Sequence, residues 1–283
     1  MIVLLADTSA LAYRAYYTTG GLSYGDKATG ISYGVFYSIL QLAEQFSTNR
    51  FLFCCDSKES KRRDLFPEYK SARRDNLTDE QREERKRIHQ NIDALRDVLV
   101  AAGFPTECHS GYEADDVIAR VAIDCRRTQF IGVSGDNDLF QLLRFANYHQ
   151  YSPTSNKLWT ASSFQQEYGI PARDWVMTKC IAGCDGDGVP GIPGIGIKTA
   201  IKYLQNELTK GKKFDSIVAQ SGIIRRNYKL VTLPFPGLAI PPPAFRSRVE
   251  ISSLLDLFSD LDFQSFLTPE MKRRWEDFCN LDK

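Results

Sequence analysis

Ile2-Val3-Leu4-Leu5-Ala6 is an apolar run of strand length, followed at once by the acid Asp7. A short run without polar alternation fits a strand buried on both faces of a parallel sheet. The pattern recurs at Arg50 to Cys55 (RFLFCC), followed by Asp56, and at Gln129 to Val133 (QFIGV), followed shortly by Asp136. Between these runs the apolar spacing predicts helices over Tyr33 to Phe46, Thr78 to Ala102 and Ala114 to Cys125. Alternating strands and helices imply right-handed crossovers, and so an α/β fold with a mainly parallel central sheet flanked by helices. Open sheets of this kind place their sites beyond the carboxyl ends of the strands. One Asp there is an ordinary loop residue or helix cap. Asp7, Asp56 and Asp136, delivered by three separate segments to one edge, point to a shared site.

The 283 residues suffice for one large domain or two smaller ones, and 43% hydrophobic with 25% charged residues is ordinary for a globular protein. No apolar run reaches the roughly 20 residues of a membrane-spanning helix. The N-terminus lacks a basic region and meets Asp7 at once, so it does not read as a signal peptide. The seven cysteines, Cys54, Cys55, Cys108, Cys125, Cys180, Cys184 and Cys279, form no C-x-x-C pair. Zinc is thereby disfavoured, and a reducing, cytoplasmic setting is expected.

After about residue 160 the character changes. Ser162 to Tyr168, Asp174 to Ile181 and Lys198 to Leu208 read as helices, and Pro234 to Pro243 (PFPGLAIPPP) as an extended connector. Ile251 to Cys279 carries apolar residues at helical spacing. The expected division is 1–160 for the α/β core and 161–283 for a mainly helical region.

Glu113, Asp115 and Asp116 open the helix at Ala114. One acid there suits the helix dipole, whereas three repel one another unless a cation is bound. Glu113 and Asp116, three apart, are expected to share a face, with Asp115 pointing elsewhere. Ser134-Gly135-Asp136-Asn137-Asp138 adds two acids on a tight loop after the third strand. Oxygen ligands without His or Cys favour Mg²⁺ or Mn²⁺. Two such ions about 4 Å apart suit in-line attack of water on a phosphodiester without a protein nucleophile.

Residues 58 to 74 hold seven basic residues (Lys58, Lys61, Arg62, Arg63, Lys70, Arg73 and Arg74) against three acids, with Phe66 and Tyr69 interleaved. A charge run is often only a solvated face. Beside an anionic metal site it also supplies the counter-charge that a polyanionic substrate needs. Gly191-Ile192-Pro193-Gly194-Ile195-Gly196-Ile197-Lys198-Thr199-Ala200 sets glycines before a helix, where free amides hold a phosphate. A nucleotide P-loop is excluded, because Ile197 separates Gly196 from Lys198. Eight basic residues against two acids from 196 to 230 suit a grip on a nucleic-acid backbone that ignores sequence.

In this order the motifs resemble the 5′-nuclease (flap endonuclease) family of bacterial and phage type, like the 5′–3′ exonuclease domain of DNA polymerase I. The resemblance rests on Ala6-Asp7 with Tyr13-Arg14, Asp56 with Tyr69-Lys70-Ser71-Ala72-Arg73, Tyr112-Glu113-Ala114-Asp115-Asp116, Gly135-Asp136-Asn137-Asp138, and Pro190-Gly191 through Lys198-Thr199-Ala200. It runs from Ile2 to about Leu208 and is looser beyond. It implies a PIN-like core with a helical arch at about 58–90 and a helix–hairpin–helix at about 176–210.

By resemblance the metal ligands are Asp7, Asp56, Glu113, Asp115, Asp116, Asp136, Asp138 and Asp187, holding two Mg²⁺ or Mn²⁺ ions. Lys70 and Arg73 would contact the scissile phosphate, with Arg14 and Tyr69 as further DNA contacts. Gly194, Gly196, Lys198 and Thr199 would hold the duplex, with K⁺ at the hairpin as in many members. The implied substrate is DNA with a 5′ single-stranded flap or end at a duplex junction, cut by a monomer in replication or repair. Gly183-Cys184-Asp185-Gly186-Asp187-Gly188 departs from the family's Gly-Asp-x-x-Asp-Asn. Either Asp185 substitutes for the missing acid or the second metal position is weaker. The rival readings are a PIN-type ribonuclease, a non-catalytic DNA-junction binder and a small-molecule phosphatase. The first is generally shorter and lacks the arch and hairpin. The second has no use for the intact acids, nor the third for two basic segments.

Overall fold

The structure is a computed structural model that describes residues 2–23, 28–71 and 77–281. β1 (Ile2–Asp7) leads directly into α1 (Thr8–Thr19), and α2 (Gly30–Phe46) returns the chain to β2 (Phe51–Cys55). A short helical turn, Lys61–Leu65, precedes α3 (Asp79–Ala101), which Thr78 starts with a reciprocal capping box to Gln81. β3 (Thr106–Cys108), α4 (Ala114–Asp124), β4 (Gln129–Val133), a 3₁₀ segment (Asn137–Arg144), β5 (Tyr148–Ser152) and β6 (Lys157–Trp159) follow.

The strands lie in the order β3-β2-β1-β4-β5-β6, parallel except for the antiparallel β6. The three apolar runs are the three adjacent central strands. Leu4 registers with Phe51 on one side and Ile131 on the other. Because successive strand side chains face opposite ways, β1 feeds two cores. Leu4 and Ala6 join Phe51, Phe53, Ile131 and Val133 under α1, α2 and α3. Val3 and Leu5 join Leu52, Cys54 and Phe130 under α4 and the 3₁₀ segment.

The second half contributes α5 (Ala161–Tyr168), α6 (Trp175–Ala182), α7 (Ile197–Leu204), α8 (Lys212–Ala219) and α9 (Ser221–Val231). Ile181, Ile192, Ile195, Ala200 and Ile217 give the hairpin between α6 and α7 a small core of its own. The stretch with helical apolar spacing at Ile251 to Cys279 forms two helices, α10 (Ile251–Asp260) and α11 (Pro269–Asn280), broken where Asp262 takes a positive φ of 55° and Pro269 starts the next helix. Leu254, Phe258, Trp275 and Phe278 pack into the first core beside Phe36 and Phe51. The Asn49 side-chain amide donates to the Phe278 carbonyl at 3.0 Å and ties the last helix to the start of β2.

Candidate active site

The parallel strands all end on the same side of the sheet, and Asp7 is at once the last residue of β1 and the N-cap of α1, its Oδ1 accepting from the Ala10 amide at 3.0 Å. Its Oδ2 accepts from the Ser134 hydroxyl at 3.0 Å. The same hydroxyl accepts from the Asp136 amide at 3.1 Å, so Ser134 pins two acids from adjacent strands. Gln150, on β5, fixes the loop by donating to the carbonyls of Ser134 (3.0 Å) and Asp136 (2.7 Å). Asp56, past the end of β2, accepts from the Ser9 hydroxyl at 2.6 Å and from the Ala114 amide at 2.9 Å, which brings α4 to the same edge.

Electrostatics show that these acids meet. Burial, and then the charge of Asp56, raise the Asp7 carboxyl to about 7. Desolvation by the site's walls, and then Asp138, raise Asp136 to about 6. Burial, with Asp136 and Asp7 next, holds Asp115 well above the usual aspartate range. Like charges gathered where water is scarce favour the protonated acids. A cation among them reverses that preference.

A second group lies on the hairpin side, where Glu113, Asp115, Asp138, Cys184 and Asp187 line one small cavity. Glu113 pairs with the Lys70 ammonium at 2.9 Å, and Asp187 lies 3.6 Å from it. Burial alone would raise the Glu113 carboxyl, but Lys70 and Arg62 outweigh it and hold the group below its ordinary value. The Tyr69 hydroxyl is within hydrogen-bonding distance of both Glu113 (2.9 Å) and Asp187 (3.2 Å). Tyr69 is only 2% exposed, so it braces these two acids and is not a surface contact for DNA. On the far side Lys179 pairs with Asp138 at 2.8 Å. Although burial opposes its charge, Asp138 holds the ammonium protonated.

Three expectations are corrected. Asp115, not Asp116, joins the cluster. Glu113 is the N-cap of α4 with extended backbone (φ −96°, ψ 163°), so the helical three-residue spacing does not apply to it. Asp116 is fully buried, and its two oxygens receive Arg62 bidentately at 2.6 and 2.8 Å, with the amides of Glu113 at 3.1 Å and Phe235 at 2.7 Å. Its lone pairs are committed to the protein, so it is a structural anchor. Asp185 turns away from the cluster and is exposed, lining the hairpin cleft with Gly196, Lys198 and Thr199. The buried Cys184 faces inward, its Sγ 3.8 Å from Asp138 Oδ1.

Arg14 is exposed on α1 and touches Ser38 at 3.3 Å. Gly194 has a positive φ of 75°, and Gly196 caps α7 with open space where a Cβ would stand. Arg73 and the crown of the expected arch lie outside the described residues. Sequence reasoning overlooked Ser134, Arg62 and Lys179 as parts of the site. Ser134 had a signal, two residues before Asp136 at a strand end. Lys179 had a weaker one, in the helix leading to the hairpin.

The donor set fits a hard divalent ion. Asp7, Asp56, Asp115 and Asp136 offer only carboxylate oxygen. Seven carboxyl groups (these four with Glu113, Asp138 and Asp187) outnumber the cations beside them, Lys70, Lys179 and the Arg62 already paired with Asp116. Among the described residues no three of these side chains close around a single point. The lysines supply part of the compensating charge.

The chain matches the family described as 5′-3′ exonuclease, N-terminal resolvase-like domain, over residues 2–169. It is 29% identical over 238 residues to a 5′-3′ exonuclease of Buchnera aphidicola subsp. Schizaphis graminum, covering 82% of this chain and 76% of that protein. It is 28% identical over 289 residues to DNA polymerase I of Mycobacterium tuberculosis, covering 93% of this chain but only 30% of the relative. Among solved structures, the T5 5′-exonuclease with bound zinc ions superposes with a TM-score of 0.71 at 19% identity over 100% of both chains. The catalytic core of Rad2 in complex with a DNA substrate superposes with a TM-score of 0.58 at 14% identity, covering 100% of this chain and 92% of that one.

Proposed function

The chain belongs to the 5′-3′ exonuclease family, and from that premise we propose a metal-dependent nuclease that cuts DNA at a 5′ single-stranded flap or end beside a duplex. The observation that carries the reading is the cradle at the sheet edge, the gathering of Asp7, Asp56, Asp115 and Asp136, with Asp7 and the Asp136 loop tied through Ser134 and burial raising the proton affinity of Asp7, Asp115 and Asp136. Asp7, Asp56, Asp115 and Asp136 would hold Mg²⁺ or Mn²⁺. Such an ion would supply Lewis acidity at the phosphoryl oxygen and make a bound water more acidic.

The remaining work falls to the chain itself. Ser134 ties Asp7 to the Asp136 loop, and Gln150 fixes that loop. Lys70 stands at the mouth on a positive φ of 56°, where its ammonium can exchange Glu113 for an incoming phosphate. Asp138 and Asp187 border the cradle and would serve a second ion. The start of α7 presents free amides beside Lys198 and Thr199, and these would hold the duplex backbone beyond the junction. Arg14 and Arg73 are further candidates for phosphate contact.

The test is cleavage of a 5′-flap DNA with Mg²⁺ by the wild type and by Asp136→Ala. The wild type should release the flap and the variant should be slower by at least about a hundredfold. An intact flap with wild-type protein, or equal rates for the two proteins, would overturn the reading. Preference for the matching RNA over DNA would favour the ribonuclease alternative.

A further inference from the structure

Helix α6 carries a lysine into the site from the hairpin side. The Lys179 ammonium sits 2.8 Å from Asp138 Oδ1, and both side chains are largely withdrawn from water (13% and 14% exposed). It also lies 5.9 Å from the centre of the Trp175 ring, and that ring's own N–H is committed to the Asn137 carbonyl at 2.6 Å. The lysine thus emerges from a fixed wall, in a geometry that favours one position. Cys184 approaches the same Asp138 oxygen at 3.8 Å.

The charge balance is the informative part. The family's pattern places an acid where Cys184 stands, and the exposed Asp185 does not turn in to replace it. A thiol at neutral pH is neutral and soft, where a carboxylate is anionic and hard. Lys179 adds a positive charge within reach of the acid that remains. Asp138 and Asp187 remain beside Cys184, and of these Asp138 carries the Lys179 ammonium as its counter-charge. The cavity between Asp138, Cys184 and Asp187 is about 10 Å³, room for a single water-sized species at most.

We propose that Lys179 is a tethered counter-cation of Asp138 that competes with a divalent ion on the hairpin side and makes that position weak. Its direct contact is with Asp138, and it reaches the cradle of Asp7, Asp56, Asp115 and Asp136 only through a smaller electrostatic effect on Asp136. The inference rests on the divalent-ion reading above and deepens it: the two metal positions are unequal, and the weaker fills only when the ammonium leaves Asp138. Lys179 is a positioning residue, since it acts through Asp138.

The experiment is a titration of the metal-free full chain, without DNA, with Mn²⁺, free Mn²⁺ being read by electron paramagnetic resonance. The wild type should show one tight class and one weak class. In Lys179→Met the weak class should tighten at least tenfold with the tight class moving far less, and Lys179→Arg should keep the wild-type isotherm. Lys179→Gln, made independently, should also tighten mainly the weak class, and it decides the matter if Lys179→Met does not fold. An unchanged weak class in a folded Lys179→Met, or equal shifts in both classes, overturns the proposal. Wild-type protein that binds no Mn²⁺ overturns the divalent-ion reading and this inference with it. A tight class lost in Asp136→Ala but little moved by Lys179→Met supports the former while the weak class judges the latter.

Discussion

Replacing Arg62 with methionine removes the guanidinium that neutralises Asp116 while leaving a side chain of similar length. Arg62 is 3% exposed and Asp116 is wholly buried. The pair joins four segments: the turn Lys61–Leu65, α4, the end of α9 through the Leu230 carbonyl at 2.9 Å, and the connector at Phe235. An orphaned carboxylate in this interior takes up a proton rather than stay charged. From an ordinary aspartate value, protonation at pH 7.5 costs about 5 kcal/mol, and at pH 5.5 about 2 kcal/mol. Breaking buried pairs generally costs about 3–5 kcal/mol, which agrees with the first figure. The sign follows. In the variant the folded-state carboxyl is raised above its unfolded value, so the deficit grows as pH rises and shrinks as pH falls.

Arg62→Met should therefore lose about 3–5 kcal/mol relative to wild type at pH 7.5, and about 3 kcal/mol less than that at pH 5.5. Urea unfolding in EDTA, followed by circular dichroism at both pH values, measures the two gaps. Arg62→Met/Asp116→Asn removes the charge yet keeps an acceptor for the Phe235 amide, so it should recover at least half of the loss and flatten the pH dependence. A loss below about 1 kcal/mol at pH 7.5, or a gap independent of pH, would refute the assignment of Asp116 as a buried ionic anchor.

Metal-free protein should lose stability as pH rises from about 4 to about 7, because Asp7 is raised to about 7 and Asp136 to about 6. Thermal melts in EDTA should show this slope flattened in Asp7→Asn and countered by saturating Mn²⁺; a slope that Asp7→Asn leaves unchanged would count against it. Gly191→Ala would put a Cβ 2.2 Å from the Ala182 carbonyl carbon and oxygen. It should cost at least about 2 kcal/mol and reduce duplex binding in a filter assay, and wild-type values in both would contradict the close packing. Tyr69→Phe deletes the hydroxyl shared by Glu113 and Asp187. Cleavage should slow roughly tenfold for a stability change of about 1–2 kcal/mol, and an unchanged single-turnover rate would remove Tyr69 from the site.

What was legible in the sequence was whatever burial on both faces writes as an uninterrupted apolar run. Gln129–Val133 agrees residue for residue, and β1 and β2 differ by one residue at an end. β3 (TEC), β5 (YHQYS) and β6 (KLW) were not, because they lie toward the sheet's margins and carry polar or mixed side chains. Helix α1 went unread because its twelve residues, rich in Thr, Ser and Tyr, show little apolar segregation. Acids at strand ends needed only the sheet's polarity and were found. Acids at the helix start needed the cap geometry, which decides whether Glu113 counts as helical, and so helical spacing put Asp116 on the Glu113 face and turned Asp115 away. Roles set by distant partners, such as Arg62 to Asp116 and Lys179 to Asp138, leave no mark in local spacing.

Trp275 and Phe278 close the face of the sheet that Leu4, Ala6, Phe51 and Phe53 open. Chains are made from the N-terminus, so these strands leave the ribosome roughly two hundred residues before the helix that covers them. At typical elongation rates that interval is on the order of ten to forty seconds. Until it ends, β1 and β2 lack part of their apolar cover, and the strand ends bearing Asp7 and Asp56 lack their finished support. The acid-bearing edge is thus fully backed only once residues 269–280 have been made. The same delay exposes a sticky surface, which makes the interval the point at which a chaperone would be most useful.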